Sequence, residues 1–195
     1  QGLCIRKSGT DYNGSAMHDA ATPESISADY ITSLGKDRTG NVWVGTYYRG
    51  LNIWKNREDE MAFYFNNPTE NSIKGKIVRS ICQDNNGHIW FCTEDGWLNR
   101  YNPTDQTMKN YKLAENLNLQ GLIIDGDMLW VCSLGDGMYL FDIRNERVRK
   151  RYDLRSNMAS VGIRSRSGQI FAGTVGGLFR YDKADDSFSL VEGTG

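Results

Sequence analysis

Four copies of one block govern what this chain can become. The first runs Asp37-Arg38-Thr39-Gly40-Asn41-Val42-Trp43-Val44-Gly45-Thr46, and the second, 47 positions on, runs Asp84-Asn85-Asn86-Gly87-His88-Ile89-Trp90-Phe91-Cys92-Thr93. The third starts at Asp125 and passes through Trp130-Val131-Cys132-Ser133; the fourth passes through Phe171-Ala172-Gly173-Thr174. The aromatic anchors Trp43, Trp90, Trp130 and Phe171 are spaced 47, 40 and 41. A second aromatic follows each anchor (Trp54, Tyr101, Phe141, Tyr181), at offsets of 11, 11, 11 and 10. Between the two aromatics lie Gly50-Leu51, Trp97-Leu98, Gly137-Met138 and Gly177-Leu178. Upstream, Ser25-Ile26 recurs as Ser72-Ile73, and Gly2-Leu3 matches the Gly-Leu step of an incomplete copy. A period near 40–45 residues points to an array of one supersecondary unit.

Each unit reads as four short strands; in the second they fall near 78–83, 89–93, 98–101 and 108–113. The Asp-x-x-Gly step places Gly where positive φ is needed and Asp where its carboxylate can bond the turn backbone. No apolar helical period of useful length appears. The fold class expected is therefore all-β: a β-propeller of about four and a half four-stranded blades. Residues 1–195 form one section, with a partial blade at 1–17 and full blades at 31–66, 78–113, 119–154 and 159–192. Residues 2–6 and 11–17 would be strands three and four of the partial blade, which lacks its two inner strands. That count predicts a section of a larger ring, most simply seven-bladed, whose open faces another chain or segment must cover. The four anchors are expected to be buried between blades. The hydroxyl slot Thr46, Thr93, Ser133 and Thr174 is expected to satisfy buried backbone groups at a strand end.

Composition excludes several functions. Lys and Arg total 23 and Asp and Glu 24, a net charge of −1, which gives no cationic surface for nucleic acid. The longest apolar run, Met128 to Cys132, is far short of the roughly 20 residues that span a bilayer, so no membrane contact is expected of this region. No signal peptide is visible at Gln1; an export signal is expected to have been removed or to lie outside this stretch. Two His exclude most His-based metal sites, and no cofactor or metal is expected. His18 has no repeating partner, and His88 sits in a turn where polar residues belong. No phosphate loop and no Gly-x-Ser-x-Gly elbow occurs, so this region is not expected to be an enzyme. Cys92 and Cys132 take the slot of Gly45 and Gly173, where a free thiol packs as a small apolar group.

The block 25–34, the block 37–46 and the Gly50-Leu51 step together resemble the two-component regulator propeller repeat. Cys92 and Cys132 in the Gly slot, Phe171 in place of Trp and the short turn after Asp125 depart from the pattern. The tryptophan–aspartate, kelch and sialidase Asp-box repeats fit less well. The resemblance implies the periplasmic sensor region of hybrid two-component systems of gut Bacteroidetes. It implies an oligosaccharide ligand and a signal to glycan-utilisation genes. Its implied partners are the rest of the propeller and an Ig-like domain of the parent chain, with a homodimer in the parent. A membrane helix, histidine kinase, receiver and helix-turn-helix domain would follow. A non-catalytic interaction or dimerisation propeller and a propeller lyase are the alternatives.

A ligand site is expected where the repeat is broken. The strand-two to strand-three loops carry Tyr47, Tyr48 and Arg49, then Glu94 and Asp95, then Asp136. Blade-to-blade loops at 66–77, 114–118 and 155–157 emerge on the same face. Trp97 stands where the other copies have Gly. Aromatics that stack on sugar faces, beside Arg, Asp and Glu for hydroxyls, make Tyr47, Tyr48, Arg49, Glu94, Asp95, Trp97 and Asp136 the candidate set. Tyr47 and Trp97 are expected to share one face, with Arg49 and Glu94 near them.

Overall fold

A computed structural model describes residues 2–6, 13–56, 60–67 and 71–193, and all regular structure among them is β-strand. The first pair, β1 (Leu3–Arg6) and β2 (Asn13–Ala16), is a two-stranded antiparallel sheet. Residues 11 and 12 of the strand expected at 11–17, and 68–70 of the loop at 66–77, lie outside the described residues. Four antiparallel meanders of four strands follow. Sheet I holds β3 (Ile31–Lys36), β4 (Val42–Thr46), β5 (Leu51–Lys55) and β6 (Glu60–Tyr64). Sheet II holds β7 (Val78–Gln83), β8 (Ile89–Thr93), β9 (Trp97–Asn102) and β10 (Thr107–Lys112). Sheet III holds β11 (Asn118–Asp125), β12 (Met128–Leu134), β13 (Gly137–Asp142) and β14 (Arg147–Tyr152). Sheet IV holds β15 (Ala159–Arg164), β16 (Ile170–Thr174), β17 (Gly177–Asp182) and β18 (Ser187–Leu190). These are propeller blades.

Strand two of each sheet is apolar on both faces because a sheet packs on each side of it. Successive residues point to opposite faces. Trp43 meets Val78, Ile89, Phe91 and Tyr101 of sheet II. Trp90 meets Leu129, Val131 and Phe141 of sheet III, and Trp130 meets Ile170, Ala172 and Phe179 of sheet IV. Val44, on the opposite face from Trp43, closes against Leu3 and Ile26, which seats the two-stranded sheet on sheet I. Trp43, Trp90 and Trp130 are 1%, 0% and 2% exposed. Phe171 corrects the expectation of four buried anchors. It takes the equivalent place in β16 but is only half-buried, since no sheet among the described residues packs over its face. Val161 and Ile163 on the neighbouring strand are exposed as well. All four cysteines are free; Cys92 and Cys132 are fully buried, and burial pushes the Cys132 thiol up to about 12.

The Asp-x-x-Gly turn is tied to the anchor. The Asp37 carboxylate accepts from the Thr39 and Asn41 backbone N–H groups (both 2.9 Å) and from Trp43 Nε1 (3.0 Å). Asp84 repeats this with the Asn86 and His88 N–H groups and Trp90 Nε1 at 2.8 Å. In sheet III the turn shrinks to Gly126-Asp127, with Asp125 paired directly to Met128, and Trp130 Nε1 is buried without a partner. The hydroxyl slot works in three sheets of four. Thr46, Thr93 and Thr174 donate to the carbonyls of Gly50, Trp97 and Gly177, while Ser133 Oγ has no partner.

A second repeated device escapes sequence reading. Asn52 and Asn99 sit fully buried at matching places in β5 and β9. Asn52 accepts from Ser27 N–H at 2.9 Å and donates to Ser27 Oγ at 2.9 Å. Asn99 accepts from Lys74 N–H at 2.8 Å and donates to Lys74 C=O at 3.1 Å. Each amide thus straps down the segment that brings Ile26 or Ile73, both 0% exposed, into a seam. Asn99→Ala is expected to cost about 1–3 kcal/mol, the penalty of stranding buried backbone groups. Urea unfolding with a midpoint within error of wild type would refute the strap.

Candidate ligand site at the inner-strand rim

The pairing of strands one and two is interrupted once in every sheet, at the same place. The register slips between Ile31 and Ser33, Val78 and Ser80, Leu119 and Gly121, and Ala159 and Val161. Each slip is a β-bulge, which frees one residue from the ladder and re-aims its side chain. The freed residues are Thr32, Arg79, Gln120 and Ser160, on inner strands that lie side by side. Ser33 Oγ donates to Val78 C=O across the first gap, and Leu122 N–H to Ser80 Oγ across the second.

Arg79 therefore stands at the rim between sheets I and II, ion-paired to Glu94 from the β8–β9 turn. Its Nε is buried and has no partner. Beside it, Tyr30, Tyr47 and Tyr48 form an exposed aromatic ledge. Tyr30 and Tyr47 ring centroids are 5.1 Å apart, and Tyr47 and Tyr48 meet edge-on at 4.4 Å. Exposures of 67%, 38% and 58% leave the ring faces to solvent. Tyr48 holds φ at 63°, a left-handed backbone that a side chain rarely adopts. The Tyr47 phenol is held above its ordinary range, first by its hydrogen bond with Tyr48, while the Arg79 charge pulls it the other way.

The structure brings together Tyr47, Tyr48 and Glu94 of the expected set, and adds Tyr30 and Arg79. The others have separate surroundings. Arg49 lines a hollow with His18, Pro23, Phe63 and Phe65. Trp97 lies under Lys112, whose Nζ is 5.1 Å from the ring and donates to Asp95 C=O at 2.7 Å. Asp136 in sheet III accepts from Tyr139 and pairs with Arg151. Trp97 can replace Gly for a backbone reason. The equivalent Gly50, Gly137 and Gly177 have φ of 75°, 75° and 117°, whereas the β8–β9 turn puts its left-handed residue one place earlier, at Gly96 (φ 81°). The sequence places Arg79 on an inner strand, but the bulge that turns it to the rim shows only once strands are paired. Among the described residues no group of His, Cys, Asp and Glu could hold a metal ion. Among the described residues no helix is long and apolar enough to cross a membrane.

Residues 25–48 and 72–95 match the two component regulator propeller family. Comparison with curated proteins gives no match. Among solved structures, the extracellular domain of the hybrid two component system BT3049 from B. thetaiotaomicron is similar over 91% of this chain, with TM-score 0.80 and 16% identity. The extracellular domain of the hybrid two component system BT4673 from the same organism is similar over the whole chain, with TM-score 0.72 and 15% identity. Virginiamycin B lyase from Staphylococcus aureus is similar over 84%, with TM-score 0.69 and 11% identity. The chain spans 25% and 35% of the two extracellular domains and 56% of the lyase. Two segments of the chain, 25–48 and 72–95, thus match the two component regulator propeller repeat, and they lie within a row of four-stranded meander sheets.

Proposed function

We propose that this region is a ligand-sensing stretch of an extracytoplasmic, periplasmic-side propeller that reports to a two-component signalling chain, and that its ligand is an oligosaccharide. The observation that carries this reading is the pair of matched repeats, 25–48 and 72–95, which between them hold every residue of the tyrosine–arginine rim. Support for the location comes from neighbours that are extracellular domains of two component systems. The chemistry agrees with a sugar. Three exposed tyrosines offer flat apolar faces, and the Arg79–Glu94 pair offers donors and acceptors for hydroxyls. The reading assigns binding, not turnover, to these residues. The remaining blades, an Ig-like domain and a second copy of the parent are the partners through which occupancy would be passed on.

An oligosaccharide array probed with the chain tests this. A retained glycan is expected, and Tyr47→Ala and Glu94→Gln are each expected to weaken its binding about tenfold, the effect of losing one ring contact or one well-placed polar contact. An array with no retained glycan, or glycans that bind both variants like wild type, would overturn it.

A further inference from the structure

The seam between sheets III and IV lacks a part that the two preceding seams possess. Trp43 and Trp90 each end their indole N–H on a turn carboxylate, at 3.0 Å and 2.8 Å. Trp130 is equally buried at 2% exposure, but the carboxylates at its shortened turn, Asp125 and Asp127, pair with Arg164 and Arg144, and its Nε1 is unpaired. Beside it opens a hollow of about 740 Å³, which Trp130 itself lines. Four cations, Arg149, Lys150, Arg164 and Lys183, line the same hollow against two carboxylates, Asp125 and Asp186. Lys150 is paired to Asp186 at 2.6 Å and Arg164 to Asp125 at 2.9 Å. Four cations less two paired carboxylates leave Arg149 and Lys183, which make no ion pair among the described residues.

The other seams handle the same region differently. Between sheets II and III, Glu146 fills in, taking both Arg100 and Lys109. Between sheets I and II a hollow of about 400 Å³ remains, but its one cation, Lys55, is already paired to Glu60 at 3.2 Å. Among the described residues, the third seam alone combines a buried anchor indole without a partner with two cations that make no ion pair.

We propose that this hollow binds a small dicarboxylate anion. One carboxylate accepts from Trp130 Nε1, in the role that Asp37 and Asp84 play in their own seams. The other lies between Arg149 and Lys183, where a guanidinium gives paired charge-assisted hydrogen bonds. The indole nitrogen is buried, so a side chain must yield to admit the anion. Met128 lines the hollow, and a thioether chain repacks readily. The site is distinct from the tyrosine–arginine rim and does not rest on the sensor reading.

Titrating the chain with succinate, while following the indole N–H resonances by NMR, tests the proposal. One indole resonance is expected to move with succinate and to stay still with succinamide, which has the same size and no charge. Trp130→Phe keeps an aromatic ring and removes the donor; it is expected to weaken succinate binding about tenfold or more. Arg149→Ala with Lys183→Ala, both at exposed positions, is expected to abolish the shift and keeps the test decisive if Trp130→Phe fails to fold. No resonance shift, an equal shift with chloride at matched ionic strength, or unchanged affinity in either variant would overturn it.

Discussion

Trp90→Ala is expected to lower the stability of the chain by about 3–5 kcal/mol, the range for truncating a fully buried large ring. Trp90 is 0% exposed and packs on Tyr111 at 5.7 Å and on Phe141 at 5.6 Å, so two successive sheets lose contacts together. The cavity cannot collapse cheaply, because β8 is clamped in its sheet on both edges. The lost indole also strands the Asp84 carboxylate, which is 1% exposed. Phe171→Ala supplies the contrast. Its ring is already half in water, and about 1–2 kcal/mol is expected, in proportion to the smaller area withdrawn from solvent. Chemical denaturation measures both, and equal losses at the two positions would contradict the seam assignment.

Asp37→Ala is expected to cost about 3 kcal/mol. The carboxylate gathers donors from Thr39, Asn41 and Trp43, but water can replace the first two because they are exposed or half-exposed. The buried indole N–H cannot be re-solvated, and a hydrogen bond to a charged group is worth about 1.5–3 kcal/mol. The same network sets a pH dependence. Burial opposes ionisation of Asp37, yet the hydrogen bonds from Thr39, Trp43 and Asn41 outweigh it and hold the carboxyl below the ordinary aspartate value of 3.8. A depressed folded-state value means that the contribution is complete above the unfolded value and fades as pH falls below it, through the folded one. Wild type should therefore lose more stability than Asp37→Ala when pH is lowered from neutrality to below 3.8. Parallel acid titration curves for the two proteins would exclude that role.

The parts of the fold that were legible in sequence are those that repeat in residue type. Trp43, Trp90, Trp130 and Phe171 are large aromatics spaced 47, 40 and 41 apart, so their recurrence carries the four-sheet plan. Asn52 and Asn99 also recur, 47 apart, but a polar residue on a short strand reads as a solvent-facing one. Its burial depends on a partner loop some 25 residues upstream, which strand alternation cannot reveal. The bulge that releases Arg79 is a property of pairing between two strands and leaves no mark in either. Arg49 and Trp97 sit in the same loop class as Tyr47 and Glu94, yet the side chains diverge to Phe63 and Phe65 in one case and to Lys112 in the other. Loop position placed them on one end of the sheets; backbone dihedrals and neighbouring outer strands decided which way each one turned.

The seams also determine how this molecule comes apart. Each apolar cluster joins residues of two successive sheets, and none belongs to one sheet alone. A blade's free energy is then mostly a coupling to its neighbours, as in a one-dimensional chain of spins rather than a globule with one centre. Sheets II and III carry an apolar seam on each face, whereas the free face of sheet IV exposes Val161 and Ile163. Order can therefore be lost blade by blade, and β8 and β12, packed on both faces, are released late. A ligand that bridges two blades would act on that coupling constant, so occupancy at one seam could stiffen the array beyond the residues it touches.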